Sequence, residues 1–209
     1  MRVDFWSDIV CPWCYIGEHR FSRALDGFEH RGEVEVVHRS FELDPSIPPG
    51  RGTPILGVLA AKYGLSPAEA ENAEARVAAL AAADGLGFTV DRKMGNTFDA
   101  HRLVHLGRER GRQEQVLQRL FRGFFGEGQP IYEADVLAGL AADAGLDPAE
   151  AKQALADGSY GDAVRADESQ AMALGITGVP FCVLDGKYAV SGARPAEIYT
   201  AALQRAWAG

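Results

Sequence analysis

Strand-forming sequence is confined to the two ends of this 209-residue chain, and the long stretch between them is patterned for helices. At the front, Val3-Asp4-Phe5-Trp6-Ser7 is rich in strand-favouring residues, and Val34-Glu35-Val36-Val37-His38 reads as a second strand. Between them, from Pro12 to about Phe28, Ile16, Phe21, Leu25 and Phe28 recur at the spacing of one helical face. Strand, helix, strand over so short a stretch is a βαβ unit, whose strands should be parallel. At the back, Pro180-Phe181-Cys182-Val183-Leu184, a two-residue turn at Asp185-Gly186, and Lys187-Tyr188-Ala189-Val190-Ser191 form a hairpin; Pro195 then opens a last helix through Trp207.

The break after the first unit is Asp44-Pro45-Ser46-Ile47-Pro48-Pro49-Gly50, where prolines and glycine exclude regular structure. Beyond it, Ser66-Pro67-Ala68-Glu69 carries a capping serine, a first-turn proline and a glutamate three residues on, ahead of an alanine-rich helix to about Asp84. Further helices are expected near Phe98–Arg110, Gln113–Phe125, Glu133–Ala144, Pro148–Ala156 and Gly161–Leu174, with Gly111, Gly126, Gly145 and Gly175 at their ends. The expected architecture is therefore α/β, in the order β-α-β … β-β-α, with a large all-helical insertion. Its parts are 1–44, the insertion 45–175, and 176–209.

Composition narrows the function classes. The chain is 47% hydrophobic and 24% charged, enough for a real core. Its formal net charge of -8 argues against general attraction to nucleic acid or to an anionic membrane. The basic run from His101 to Arg122 is interrupted by Glu109 and Glu114 and reads as a solvated helix face. With no apolar run near the ~20 residues that cross a bilayer, and no apolar stretch at Met1-Arg2-Val3-Asp4-Phe5-Trp6, the expected compartment is the cytoplasm. Three cysteines are too few for a disulfide framework.

Two of those cysteines form Cys11-Pro12-Trp13-Cys14, in the turn between first strand and first helix. Unpaired N–H groups and the positive end of the helix dipole favour a thiolate at Cys11, the expected attacking sulfur. Cys14, one turn inward, is placed to attack a mixed disulfide at Cys11 and resolve it. A metal site would need two more ligands, for which Cys182, His19 and His38 are the candidates; no second paired motif supports one, and no metal is expected. Far away, Thr177-Gly178-Val179-Pro180 precedes a strand, either as a strand-start proline or as a cis Val179-Pro180 bond in a loop facing the cysteines.

Taken together, Asp8-Ile9-Val10-Cys11-Pro12-Trp13-Cys14-Tyr15-Ile16-Gly17, Asn96-Thr97 with Ala100-His101-Arg102-Leu103, and Gly178-Val179-Pro180-Phe181 with Asp185-Gly186 and Ser191-Gly192-Ala193 resemble the DsbA-like thioredoxin-fold proteins of the FrnE branch, over essentially the whole chain. The resemblance implies a thioredoxin fold interrupted by a helical domain, a CxxC redox centre and a cis-proline loop opposite it. Related 2-hydroxychromene-2-carboxylate isomerases and kappa-class glutathione transferases look alike in architecture, use glutathione, and typically carry serine where this chain has Cys11. The expected activity is thiol–disulfide exchange with protein or small-molecule thiols and disulfides, without a bound cofactor, glutathione being an eligible redox partner or co-substrate. The alternatives are a glutathione-dependent isomerase or transferase acting on a small aromatic molecule, and a non-enzymatic module using the cysteines as metal ligands. Oligomeric state is not legible.

Other residues carry secondary expectations. Asp8 is a proton carrier for the thiols or a turn aspartate. Trp13, Tyr15, Val179 and Phe181 are candidates for an apolar platform, with the Val179 backbone pairing to an extended substrate and Pro180 ordering it. Cys182 reads as a small core residue rather than a third redox thiol. Asn96 and His101 are possible auxiliaries by resemblance, set against a helix-surface or core histidine.

Overall fold

The computed structural model describes residues 1–209. Strand β1 (Arg2–Ser7) leads through a short turn into helix α1 (Pro12–Asp26), and a 3-10 turn at Arg31–Glu33 leads into β2 (Glu35–Ser40). β1 and β2 are parallel, with Phe5 opposite His38. At the far end of the chain, β5 (Phe181–Leu184) runs antiparallel to β1 and β6 (Tyr188–Ser191) antiparallel to β5, giving a four-stranded sheet in the order β2-β1-β5-β6; helix α9 (Ala196–Trp207) follows. This is the thioredoxin-like β-α-β … β-β-α order. The intervening elements are β3 (Thr53–Pro54), α2 (Ile55–Tyr63), α3 (Pro67–Ala83), β4 (Lys93–Met94), α4 (Phe98–Glu109), α5 (Gln113–Phe121), α6 (Ala134–Asp143), α7 (Pro148–Asp157) and α8 (Gly161–Ala173). No helix is long and apolar enough to cross a membrane.

Two compact units emerge. One combines Met1–Leu43 with Val164–Gly209, and the other is Asp44–Ala163. In the first, alternate residues of β1 and β5 face α1 and α9, so that Val3, Phe5, Phe21, Cys182, Leu184, Tyr199 and Leu203 form a core below 4% exposure. Phe5 packs on Phe21 at 5.3 Å between ring centres, and Phe21 meets Tyr199 edge-on at 5.7 Å. On the opposite face Trp6, Ala171 and Ile176 make a second cluster, joined by Phe41, Val179, Phe181 and Val183.

Three expectations are corrected. The insertion was expected to run to residue 175, but from Val164 onward α8 belongs with the α/β unit. The reason lies in Asp167: its carbonyl accepts the Trp6 indole N–H (3.2 Å), and its carboxylate binds Arg39 (2.6 Å) and the Ser40 N–H (3.0 Å), tying α8 to β1 and β2. The insertion is not wholly helical, since Thr53–Pro54 and Lys93–Met94 pair as a two-residue antiparallel ladder. The final hairpin resumes at Tyr188 rather than Lys187, because Leu184 pairs with Tyr188 and the turn takes up Asp185 and Gly186, both at positive φ, with Lys187.

Elsewhere local chemistry produces what the sequence leads one to expect. The Ser66–Glu69 capping box forms in both directions at the start of α3. Asp147 caps α7 by accepting from the N–H groups of Ala149 and Glu150.

Candidate functional site

Cys11 is the N-cap of α1, in extended backbone conformation, and Pro12 occupies the first helical turn. Proline is at home there because that N–H has no helical partner. The segment is fixed from before the helix: the Cys11 N–H donates to the Asp8 carbonyl (3.0 Å), and the Cys11 carbonyl accepts from the N–H groups of Cys14 (3.0 Å) and Tyr15 (3.1 Å). Both cysteines are free thiols, Cys11 3% exposed and Cys14 fully buried. The dipeptide between them differs, since Trp13 is 43% exposed.

The Val179–Pro180 loop meets this helix end. The peptide bond is cis, and the Cys11 thiol donates to the Val179 carbonyl at 3.7 Å. Gly17, on the face of α1 below the cysteines, permits the approach: a Cβ there would lie 2.9 Å from Pro180 Cγ and 3.4 Å from the Tyr199 hydroxyl. The Gly192 N–H, donating to the Pro180 carbonyl (2.8 Å), holds the loop from its other side.

Electrostatics act strongly on the inner thiol. Burial pushes the Cys14 thiol well above the ordinary thiol range, and its hydrogen bond to Cys11 and the charges of Cys11 and Asp8 act in the same direction. Asp8 is buried, and its Oδ2 accepts the Leu43 N–H at 2.7 Å. It is thus both a loop-fixing aspartate and a carboxyl group close enough to act on Cys14.

Among the other candidates, Cys182 lies fully buried on β5 beside Phe5, its thiol pushed up chiefly by burial and further by the charges of Glu18 and Asp4. Tyr15 is 2% exposed and takes no part in an apolar platform, which corrects that expectation; it turns inward where Trp13 turns outward. Val179 and Phe181 are half-buried against the Trp6 cluster. Asn96 and His101 belong to the Asp44–Ala163 unit. There the Asn96 side chain donates to the Ile47 carbonyl (3.0 Å) and accepts from the Phe98 N–H (3.0 Å), opening α4, while His101 is buried within that helix. No three His, Cys, Asp or Glu side chains gather in a way that could hold a metal ion. His38, one of the conceivable ligands, instead has Nδ1 3.2 Å from Glu18 Oε1.

That buried pair is what the sequence reading missed. Glu18 is 1% and His38 6% exposed. The available signal was Glu18's place four residues after Cys14, on a helix face otherwise filled by apolar groups.

The sequence profile of the DSBA-like thioredoxin domain matches residues 2–204. The chain is 52% identical to the crystal structure of a probable DsbA oxidoreductase from Streptomyces coelicolor, covering 100% of this chain and 90% of that one with a TM-score of 0.95. It is 27% identical to the uncharacterized protein YwbO of Bacillus subtilis, over 97% of this chain and 96% of that protein. The cytosolic disulfide reductase DsbM of Pseudomonas aeruginosa, solved with GSH, has the same fold at 18% identity, with a TM-score of 0.71 over 100% of both chains.

Proposed function

This chain belongs to the DSBA-like thioredoxin domain family, and from that premise we propose that it is a thiol–disulfide oxidoreductase whose redox centre is the Cys11–Cys14 pair. The observation that carries this reading is the Cys11 thiol at the N-terminus of α1, 3.7 Å from the Val179 carbonyl, with Cys14 one turn behind it. The 52% identical S. coelicolor relative, described as a probable DsbA oxidoreductase, supports the reaction class.

The exchange runs in two displacements. Cys11, at the helix N-terminus, attacks one sulfur of a substrate disulfide; a bond forms between Cys11 and that sulfur, the Cys11 proton is lost, and the other substrate sulfur leaves as a thiolate. Cys14 then loses its proton and attacks Cys11 Sγ, releasing the second substrate thiolate and leaving Cys11–Cys14 oxidised. The substrate gains the two electrons that the protein loses, and the reverse sequence delivers a disulfide. Asp8 is the proposed acceptor of the Cys14 proton. The half-exposed Trp13 ring receives the apolar flank of a substrate, while Val179 and Pro180 line the other side of the reacting sulfur. Asn96 and His101 carry no step. No resident cofactor is invoked; the proposed small-molecule partner is glutathione, and the proposed compartment the cytoplasm.

The test is turnover of a peptide disulfide by glutathione. Cys11→Ser should abolish it, and Cys14→Ser should stall as a trappable mixed disulfide at Cys11. Product formation from a small aromatic substrate that requires glutathione and survives Cys14→Ser would instead place the chain with the isomerases and transferases.

A further inference from the structure

One cavity is lined wholly by residues of the Asp44–Ala163 unit, which contains none of the cysteines. It measures about 260 Å³, just short of the ~300–1,000 Å³ of sites that hold drug-sized ligands. One wall is Asp91-Arg92-Lys93, the run into β4, and the other is the loop 128–133 ahead of α6. Both walls are fixed. Gly128 has φ +67°, and a Cβ there would lie 2.6 Å from the Asp91 carbonyl oxygen, so loop and strand close on each other at that point. Tyr132 lies across the backbone at Gly52 and Gly95, where any Cβ would collide with its ring. The ring is thus a flat wall seated before anything binds.

Arg92 supplies the observation that points to a ligand. Its side chain lines the cavity yet the residue is 3% exposed. Nη2 donates to the Glu74 carboxylate (2.7 Å) and Nη1 to the Thr89 carbonyl (2.5 Å), while the rings of Phe88 and Phe125 lie 4.5 and 5.1 Å from the guanidinium carbon. Glu74 offsets the charge, and the rings hold the guanidinium in place. Nε, equally buried, has no acceptor. A buried donor without a partner is costly, so an acceptor presented to it gains what the fold has left unspent.

The other charges at the cavity are Lys93, positive, and Asp91 and Glu133, negative, all exposed. A plain anion would meet the Nε–H and Lys93 but also two carboxylates. A plain cation would suit the carboxylates and leave the Nε–H unpaired. A small molecule carrying both charges satisfies every group. We propose that this cavity binds a small zwitterion of the α-amino acid class. Its carboxylate accepts from the Arg92 Nε–H and pairs with Lys93, its ammonium faces Asp91 and Glu133, and its side chain lies on the Tyr132 ring. Binding is non-covalent and stands apart from the redox reading, since no cysteine lines the cavity.

The experiment titrates the full chain with glycine, L-leucine and L-phenylalanine by calorimetry, with acetate and ethylammonium as single-charge controls, while NMR follows the Arg92 Nε–H resonance. At least one amino acid should bind with a Kd of about 1 mM or tighter, about ten-fold or more tighter than either control, and should shift the Nε–H resonance to saturation. Lys93→Met and Glu133→Gln alter exposed side chains and should each weaken binding by about two- to five-fold. Should either variant fail to fold, the Nε–H titration of the wild-type chain decides. Acetate binding as tightly as the amino acids overturns the zwitterion assignment. No amino acid bound well above that concentration, or one bound without moving the Nε–H resonance, overturns the site itself.

Discussion

Cys182, Cys14 and Cys11 carry one side-chain chemistry in three different surroundings, and the proposed redox scheme gives each a different use. Cys182 has the Phe5 ring beside it and lies within the apolar core, with no exposure and its thiol held neutral by burial. Replacing it by serine swaps a weak hydrogen bonder for a hydroxyl in an apolar site, so Cys182→Ser should lose about 1–3 kcal/mol in urea denaturation while keeping full exchange activity. Loss of activity with unchanged stability would make Cys182 a redox participant. Cys14 is equally buried but must ionise to act. Because its thiol is raised mainly by desolvation, only a small thiolate fraction exists at neutral pH, and each unit of pH upward increases that fraction about tenfold. Resolution of a preformed Cys11–glutathione mixed disulfide in Asp8→Asn, which lacks the proposed proton acceptor, should accordingly keep rising through pH 9 in stopped flow, whereas a plateau near the ordinary thiol range would contradict the burial argument. The nearness of Cys11 and Cys14 at a helix start could be read from the sequence, since their spacing announces it. The Glu18–His38 contact could not: a glutamate on a helix and a histidine on a strand each read as ordinary until the β1–β2 register and the seating of α1 bring them together.

Among the elements, α1 positions the site through one absence of side chain. At Gly17 an added methyl would press within 2.9 Å of Pro180, a buried ring held on its far side through the Gly192 N–H. Overpacking of this kind costs about 1–3 kcal/mol. Since the same loop carries the Val179 carbonyl to Cys11, Gly17→Ala should cut peptide-disulfide turnover by about ten-fold or more, with the far ultraviolet spectrum unchanged. Activity within two-fold of wild type would show that the loop has room to move. Most elements were legible because their signals are local: the capping box before α3, the prolines opening α1 and α7, and the glycines after α4, α6 and α8. α2 escaped because almost every one of its residues is apolar, leaving no contrast between faces, and because Pro54 provides no side-chain cap. The π turn at Arg122–Gly126 extends α5 as far as the sequence pattern does, but with a wider hydrogen-bond step around Phe124 and Phe125.

Across the whole molecule, the α/β unit is assembled from the two ends of the chain. β1 pairs on one side with β2, close by in sequence, and on the other with β5, whose Cys182 lies opposite Phe5. The Asp44–Ala163 unit is inserted between these halves. Sequence signals showed that such an insertion exists but could not locate its end inside α8, because only the long-range contacts of Asp167 to Trp6, Arg39 and Ser40 assign that helix to the α/β unit. The same discontinuity makes the site a product of the complete fold, since Cys11 comes from one end and Val179 from the other. The central claim is that these thiols form one reversible redox couple. Equilibrating the chain in graded glutathione buffers, trapping free thiols with an alkylating mass tag and reading the peptides should give one two-electron transition that joins Cys11 to Cys14 and leaves Cys182 reduced throughout. A titration in which no Cys11–Cys14 disulfide appears, with Cys11 carrying bound glutathione or with both thiols masked by metal, would contradict it.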